Sequence, residues 1–189
     1  MQTSQELTAS QSLDLISRMI REAQGRVQKN SFYFLLWGWV VLLGNLGTYL
    51  LAKADYPYPY AIWAITIPAW IISIVRGLRQ RRDATSSTHF DRISSALWMS
   101  LGIVIFTIVA FGYQINYQIN PLVLLVSAIP TFTSGVVLRF KPLMAGGVIF
   151  WMSGIVCFLV ARDIQPLVGV AAIALGYLVP GYMLKNRKD

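Results

Sequence analysis

The chain has 189 residues, of which 56% are hydrophobic and 13% charged, with a mean hydropathy of +0.56. Soluble domains break up their apolar residues with charged faces and carry about twice this share of charge, so the composition excludes an ordinary water-soluble globule and points to a membrane protein. The net charge of +8 would suit nucleic acid, but the basic residues stand at the ends of uncharged runs, the pattern of membrane topology, and no nucleic-acid partner is expected.

Residues 1–9 are polar and expected to be disordered. Leu13, Ile16, Met19, Ile20, Ala23 and Val27 then recur at helical spacing, with Arg18, Arg21, Glu22 and Arg26 at other positions. This predicts an amphipathic helix over about 12–29, capped by Ser10 or Ser12. Its cationic face suits an anionic inner leaflet. Packing of the apolar stripe on the protein's own loops, on a second copy or on a cytosolic partner are the alternatives. The first apolar run starts too late for a secretory signal, and no small-residue cleavage site follows it, so the amino terminus is expected to be retained.

A bilayer core about 30 Å thick needs roughly 20 apolar residues in a helix. Residues 30–52, 56–75, 142–161 and 164–184 are uncharged, and each supplies one span. Residues 93–138 are too long for one span, and the polar stretch Gln114-Ile115-Asn116-Tyr117-Gln118-Ile119-Asn120, followed by Pro121, divides them. Side-chain amides favour an interface over hydrocarbon, and proline suits a first helical turn. The expected fold is therefore an all-α membrane protein of six transmembrane helices, at about 31–52, 57–76, 94–113, 121–138, 142–161 and 165–184. A cytoplasmic tail and amphipathic helix (1–30) precede the spans, and a basic tail (185–189) follows them. Residues 76–92 form the longest connection, rich in Arg, Ser, Thr and Asp, and are expected to be a mobile cytoplasmic loop.

Of the 16 lysines and arginines, all but Lys53 and Arg162 fall on one side of these spans, which places both termini in the cytoplasm. Tyr49, Tyr56, Tyr58, Tyr60, Tyr113 and Tyr117 gather at the outer boundary, where amphipathic rings settle. A weak repeat runs through the chain. Trp37, Trp98 and Trp151 sit in the odd spans, and Pro68, Pro130 and Pro180 in the even ones. Pro59, Pro121 or Pro166 opens each even span. Three helical hairpins inserted in one direction would produce this pattern. An inverted repeat fits less well, because the fifth span has no interior proline to match Pro68.

The opening of the chain, Leu15-Ile16 and Met19-Ile20 followed by Lys29-Asn30-Ser31-Phe32-Tyr33-Phe34-Leu35-Leu36-Trp37-Gly38-Trp39, resembles a group of uncharacterised six-span inner-membrane proteins of Bacteroidetes. The likeness is clearest over 12–52. It implies a bacterial inner membrane and brings no activity with it.

Catalysis needs a positioned acid, base, nucleophile or metal. The single histidine, His89, lies with Asp83 and Asp91 in the predicted loop, where a solvated polar segment is the ordinary reading and a metal site the unusual one. Asp55 and Asp163 fall at outer turns, and no acid falls inside a span. Proton relays normally require such groups at depth. No phosphate loop, acyl-transfer nucleophile or dinucleotide fingerprint appears. No enzyme activity, metal or cofactor is expected.

Polar and helix-bending positions remain. Asn45 either glues two helices by a hydrogen bond or contacts a ligand. Pro68, Pro130 and Pro180 leave the carbonyls of Ala64, Val126 and Gly176 without an amide. Asn45, Thr66, Pro68, Ser127, Pro130, Thr131, Ser134 and Pro180 are therefore the candidate cavity or hinge. The leading expectation is a non-enzymatic membrane component acting through lipid or protein contacts, as a homo-oligomer or within a membrane complex. A small permease or channel around a central cavity is the first alternative, and a membrane-bound sensor holding a cytosolic regulator the second.

Overall fold

In hydrocarbon a backbone amide finds no partner but another backbone group, and each uncharged run folds accordingly as a helix. The computed structural model describes residues 9–83 and 89–186, with side chains described over 31–79 and 93–186. Helix α1 spans Ala9–Lys53. A 3-10 segment, Pro59–Ile65, leads into α2, Thr66–Asp83. Helix α3 covers His89–Ala110, α4 Ile119–Val137 and α5 Lys141–Leu159. Helix α6, Gln165–Lys185, is interrupted by a π-helical stretch at Ala174–Leu178. No strand occurs among the described residues. Among the described residues six stretches are long and apolar enough to cross a membrane: Ser31–Lys53, Pro59–Arg79, Ile93–Ala110, Ile119–Val137, Lys141–Leu159 and Gln165–Lys185.

Two expectations about the connections change. The segment 12–29 is helical but is no separate helix, because α1 runs through it into the first span. Gln28, Lys29 and Asn30 include neither proline nor glycine to end it. The contacts of its apolar stripe, and residues 1–8, lie outside the described residues. The expected loop 76–92 is also largely helix, since α2 continues to Asp83 and α3 begins at His89. Arginine and glutamine at 79–82 are good helix formers, and extending an existing helix is far easier than nucleating one. Only residues 84–88 of that loop, together with 187–189, remain outside the described residues.

The same hydrogen-bonded turn closes α1 and α4 and recurs in the segment that follows α3. After α4, the Phe140 amide donates to the Gly135 carbonyl at 2.9 Å and the Arg139 amide to Val136 at 3.1 Å. Arg139 takes φ 49°, the left-handed residue of a Schellman motif. Asp55 after α1 (φ 54°) and Asn116 after α3 (φ 51°) hold the corresponding place. These turns keep the connections short and force neighbouring helices to run antiparallel.

Lipid supplies no hydrophobic force to press helices together, so close packing has to hold the bundle. Glycines provide it. Gly135 of α4 lies against Met144 of α5, Phe132 against Gly147, and Leu125 against Gly154, a regular antiparallel register. Gly38, Asn45 and Leu35 of α1 meet Leu178, Gly169 and Gly181 of α6 in the same manner. Gly44 and Gly47 seat Trp63 and Ile62 from the 3-10 segment. Between α1, α3, α5 and α6 the interior is filled by rings. Tyr177 lies 5.1 Å from Phe34, 5.8 Å from Phe150 and 6.3 Å from Trp98, centroid to centroid.

Helices α2 and α3 stand at the periphery. Ile67, Ile71, Ile74 and Leu78 of α2 and Met99, Ile103, Phe106 and Val109 of α3 are exposed, Phe106 at 76%. An apolar surface of this extent is what a lipid-facing layer requires. The three prolines of the sequence repeat do not share an environment. Pro68 is exposed on α2, whereas Pro130 and Pro180 are buried in α4 and α6.

Candidate functional site

Asn45, Thr66 and Thr131, among the polar residues singled out in the sequence, bond locally. Thr131, fully buried, donates its hydroxyl to the Ser127 carbonyl one turn back at 2.7 Å. Thr66 donates to Trp63 at 2.7 Å. Thr48 donates to Gly44 at 2.7 Å and accepts from Trp63 Nε1 at 3.0 Å. Asn45 is buried, and its Nδ2 donates to the Val41 carbonyl at 3.0 Å within its own helix. A Cβ placed on Gly169 would stand 2.8 Å from Asn45 Oδ1. Asn45 thus joins α1 to α6 by filling the groove that Gly169 opens, while its donor stays on α1.

The expected cavity residues are not brought together. Asn45 is on α1, Thr66 and Pro68 on α2, Ser127, Pro130, Thr131 and Ser134 on α4, and Pro180 on α6. Neither α1 nor α2 approaches α4 among the described residues. Ser134 and Pro130 are buried, and Ser127 is half-buried. The physical reason is general. A hydroxyl surrounded by lipid and protein finds its nearest acceptor on the preceding turn.

Pro180 does mark an irregular segment. It offers no amide to the Gly176 carbonyl, and the chain widens into the π-helical turns Ala174–Leu178 just before it. The Gly176 carbonyl faces α5, where a Cβ on Gly146 would lie 2.0 Å from it. The backbones of α5 and α6 therefore touch at a carbonyl that proline has left without its usual partner.

At the end of the bundle opposite the basic turns lies a polar cluster that sequence reading did not single out. Gln165, 2% exposed at the start of α6, donates from Nε2 to Gln118 Oε1 and to the Cys157 carbonyl, both at 2.9 Å. One primary amide has two hydrogens, and both are used here to tie α6 to α4 and α5. Beside it Arg162 donates to the Asn116 carbonyl at 2.7 Å. The available signal was Gln165 standing directly before Pro166 at the mouth of a span, opposite the amide-rich stretch 114–120. Next to the cluster, a cleft of about 370 Å³ opens between the end of α1 and the α5–α6 turn, lined by Thr48, Tyr49, Pro59, Tyr60, Arg162 and Asp163 among others.

Among the described residues no three histidine, cysteine, aspartate or glutamate side chains stand together as metal ligands. The side chains of His89, Asp83 and Asp91 lie outside the described residues. No protein family, curated protein or solved structure matches the chain. What the cluster can do follows from its chemistry alone: it locks the far ends of three helices and borders a small open cleft.

Proposed function

We propose that the chain is a multi-pass component of a bacterial inner membrane, with both termini in the cytoplasm, acting through contacts with lipid or with other membrane proteins and not by catalysis. One observation carries this reading. Polar side chains within the spans, including Asn45, Thr66, Ser100, Thr107 and Thr131, donate to carbonyls of their own helices, while α2 and α3 turn broad apolar faces outward. A permease needs a wet path between helices, and rings of Phe34, Trp98, Phe150 and Tyr177 fill the middle of this bundle. The bacterial inner membrane rests on the resemblance of residues 12–52, and the orientation on the lysine and arginine distribution.

A second reading draws on α1. At 45 residues it is about 70 Å long, more than twice the thickness of a bilayer core. Such a helix suits a sensor that couples the membrane to a soluble regulator. Loss of a co-purifying soluble protein on deleting residues 1–29 would favour it.

The topology is tested with single cysteines in a Cys157→Ala background. Asn116→Cys is expected to react with a membrane-impermeant maleimide in intact cells, and a reporter fused after Asp189 is expected to be active only inside. Failure of Asn116→Cys to react in cells, despite reaction in detergent, would reject the division at 114–120. A periplasmic signal from the carboxyl-terminal reporter would reject the even number of spans.

A further inference from the structure

We infer that Arg76 is the phosphate anchor of a specific site for one anionic phospholipid, in the leaflet at the basic end of the bundle. The inference rests on the membrane reading above and deepens it by naming the lipid class and the residue.

Arg76 lies one turn before the end of the span Pro59–Arg79, at the boundary between hydrocarbon and headgroups. Its guanidinium carbon stands 3.9 Å from the centroid of the Phe32 ring, and Phe32 opens the first span on α1. The ring covers one face of the cation and fixes its orientation, a cation–π contact across the two helices. The Nε atom is buried and has no hydrogen-bond partner. Arg76 as a whole is half-buried, and a partly desolvated guanidinium attracts an anion more strongly than a fully hydrated one, because less solvent screens it. Among the residues with described side chains the only carboxylates are Asp55 and Asp163, both at the opposite end, so none of these neutralises it.

Next to Arg76 on α2, Gly77 carries no side chain and is half-exposed. A Cβ on Gly77 would have a single described neighbour within 4 Å, the Tyr33 hydroxyl at 4.0 Å, a second donor on the rim. One turn deeper on α2, Ile72 is exposed and offers an apolar surface for an acyl chain. The planar fork of arginine matches phosphate oxygens. A cation stacked at the interface, a hydroxyl, a glycine face with one described neighbour and an apolar track below them fit a phosphate that carries hydrocarbon, not a free phosphate ion.

The test uses full-length protein in neutral detergent, with retained lipid counted by native mass spectrometry during titration with phosphatidylglycerol or phosphatidylcholine. Phosphatidylglycerol is expected to bind about tenfold more tightly than phosphatidylcholine, and Arg76→Gln to remove about that factor, the loss for one charge-assisted contact. Arg139→Gln removes the same charge from another turn of the basic end and is expected to change binding by less than about twofold. Phe32→Leu and Arg76→Lys are expected to keep the fold and each to weaken binding about threefold, so they carry the test should Arg76→Gln not fold. Equal retention of the two lipids would overturn the proposal. So would equal losses in Arg76→Gln and Arg139→Gln, which would mean diffuse attraction. Displacement of the lipid by millimolar inorganic phosphate would assign the site to a soluble anion instead, and overturn the lipid. Flotation with pure phosphatidylcholine vesicles separates the two levels. A wild-type chain that does not float defeats the membrane reading itself, whereas floating without dependence on Arg76 defeats only this site.

Discussion

Gly146→Leu is expected to prevent assembly of the bundle, and Gly146→Ala to destabilise it by about 3 kcal/mol, the upper part of the range for overpacked sites. The expectation follows from what lies opposite. A Cβ at Gly146 would sit 2.0 Å from the Gly176 carbonyl oxygen and 2.9 Å from its carbon. Both are backbone atoms, so no side-chain rotation relieves the clash. Helix α5 cannot simply move away, because Gly147 is pressed onto Phe132 and Gly154 onto Leu125 of α4. Helix α6 is held from its other side by Asn45 against Gly169. Separating α5 from α6 would also leave the Gly176 carbonyl, which Pro180 cannot serve, without its Gly146 neighbour. Ala145→Leu is the matching control, since Ala145 is the adjacent residue of α5 and exposed. It adds comparable bulk toward lipid and is expected to shift stability by no more than about 0.5 kcal/mol. Thermal unfolding in mild detergent, followed by size-exclusion chromatography, reads both variants. Equal behaviour of the two would show that the α5–α6 contact is not the tight backbone approach described above.

The second large effect is expected at Gln165. Replacing it with leucine keeps the volume but removes both hydrogens that Nε2 gives to Gln118 Oε1 and the Cys157 carbonyl. With Gln165 only 2% exposed, water cannot readily replace it. The Cys157 carbonyl is also near the end of α5, where the helix itself supplies few amides. A loss of about 2 kcal/mol is expected, large for a hydrogen bond in a membrane protein because two acceptors are orphaned together. Gln118→Leu alone removes one of the two contacts and should cost less. The double variant should be less destabilised than the sum of the singles, with a coupling of about 1 kcal/mol. Arg162→Ala breaks an exposed contact to the Asn116 carbonyl and is expected to cost under about 1 kcal/mol. Strict additivity of Gln118→Leu and Gln165→Leu would mean that the two amides do not act as one lock.

Much of the fold was legible because hydrocarbon imposes a simple requirement. An uncharged run of sufficient length becomes a helix, and the ends of the six spans fall within a few residues of where charges or amides interrupt the sequence. The division at 114–120 was readable for the same reason, through Gln114, Asn116, Gln118 and Pro121. What composition could not supply was the choice of partners. Pro68, Pro130 and Pro180 look alike in sequence, yet Pro68 faces outward and Pro180 adjoins a π-helical stretch packed on Gly146. Thr131 and Ser134 suggested a wet cavity, but a hydroxyl does not announce whether it faces water or its own preceding turn. Gln165 was overlooked because a polar residue at a helix start usually meets solvent, and only the fold reveals Gln118 and Cys157 around it. The stacking of Arg76 on Phe32 joins residues far apart in the chain, and a count of basic residues registers Arg76 only as one more positive charge. The continuity of α1 was missed because the change from an amphipathic to an apolar pattern near Asn30 was read as a break between two helices, although no proline or glycine stands there to end one. The helical ends of α2 and α3 were missed because the polar residues between those spans were read as loop, although arginine and glutamine extend a helix readily.

The account depends on α3 facing lipid along its outer side. A nitroxide attached at Phe106→Cys in the Cys157→Ala background, with the protein reconstituted in phospholipid bilayers, tests this most directly. Phe106 is 76% exposed, so the label should collide freely with dissolved oxygen and hardly at all with a water-soluble nickel chelate. Strong collision with the nickel chelate, or protection from both reagents, would contradict it.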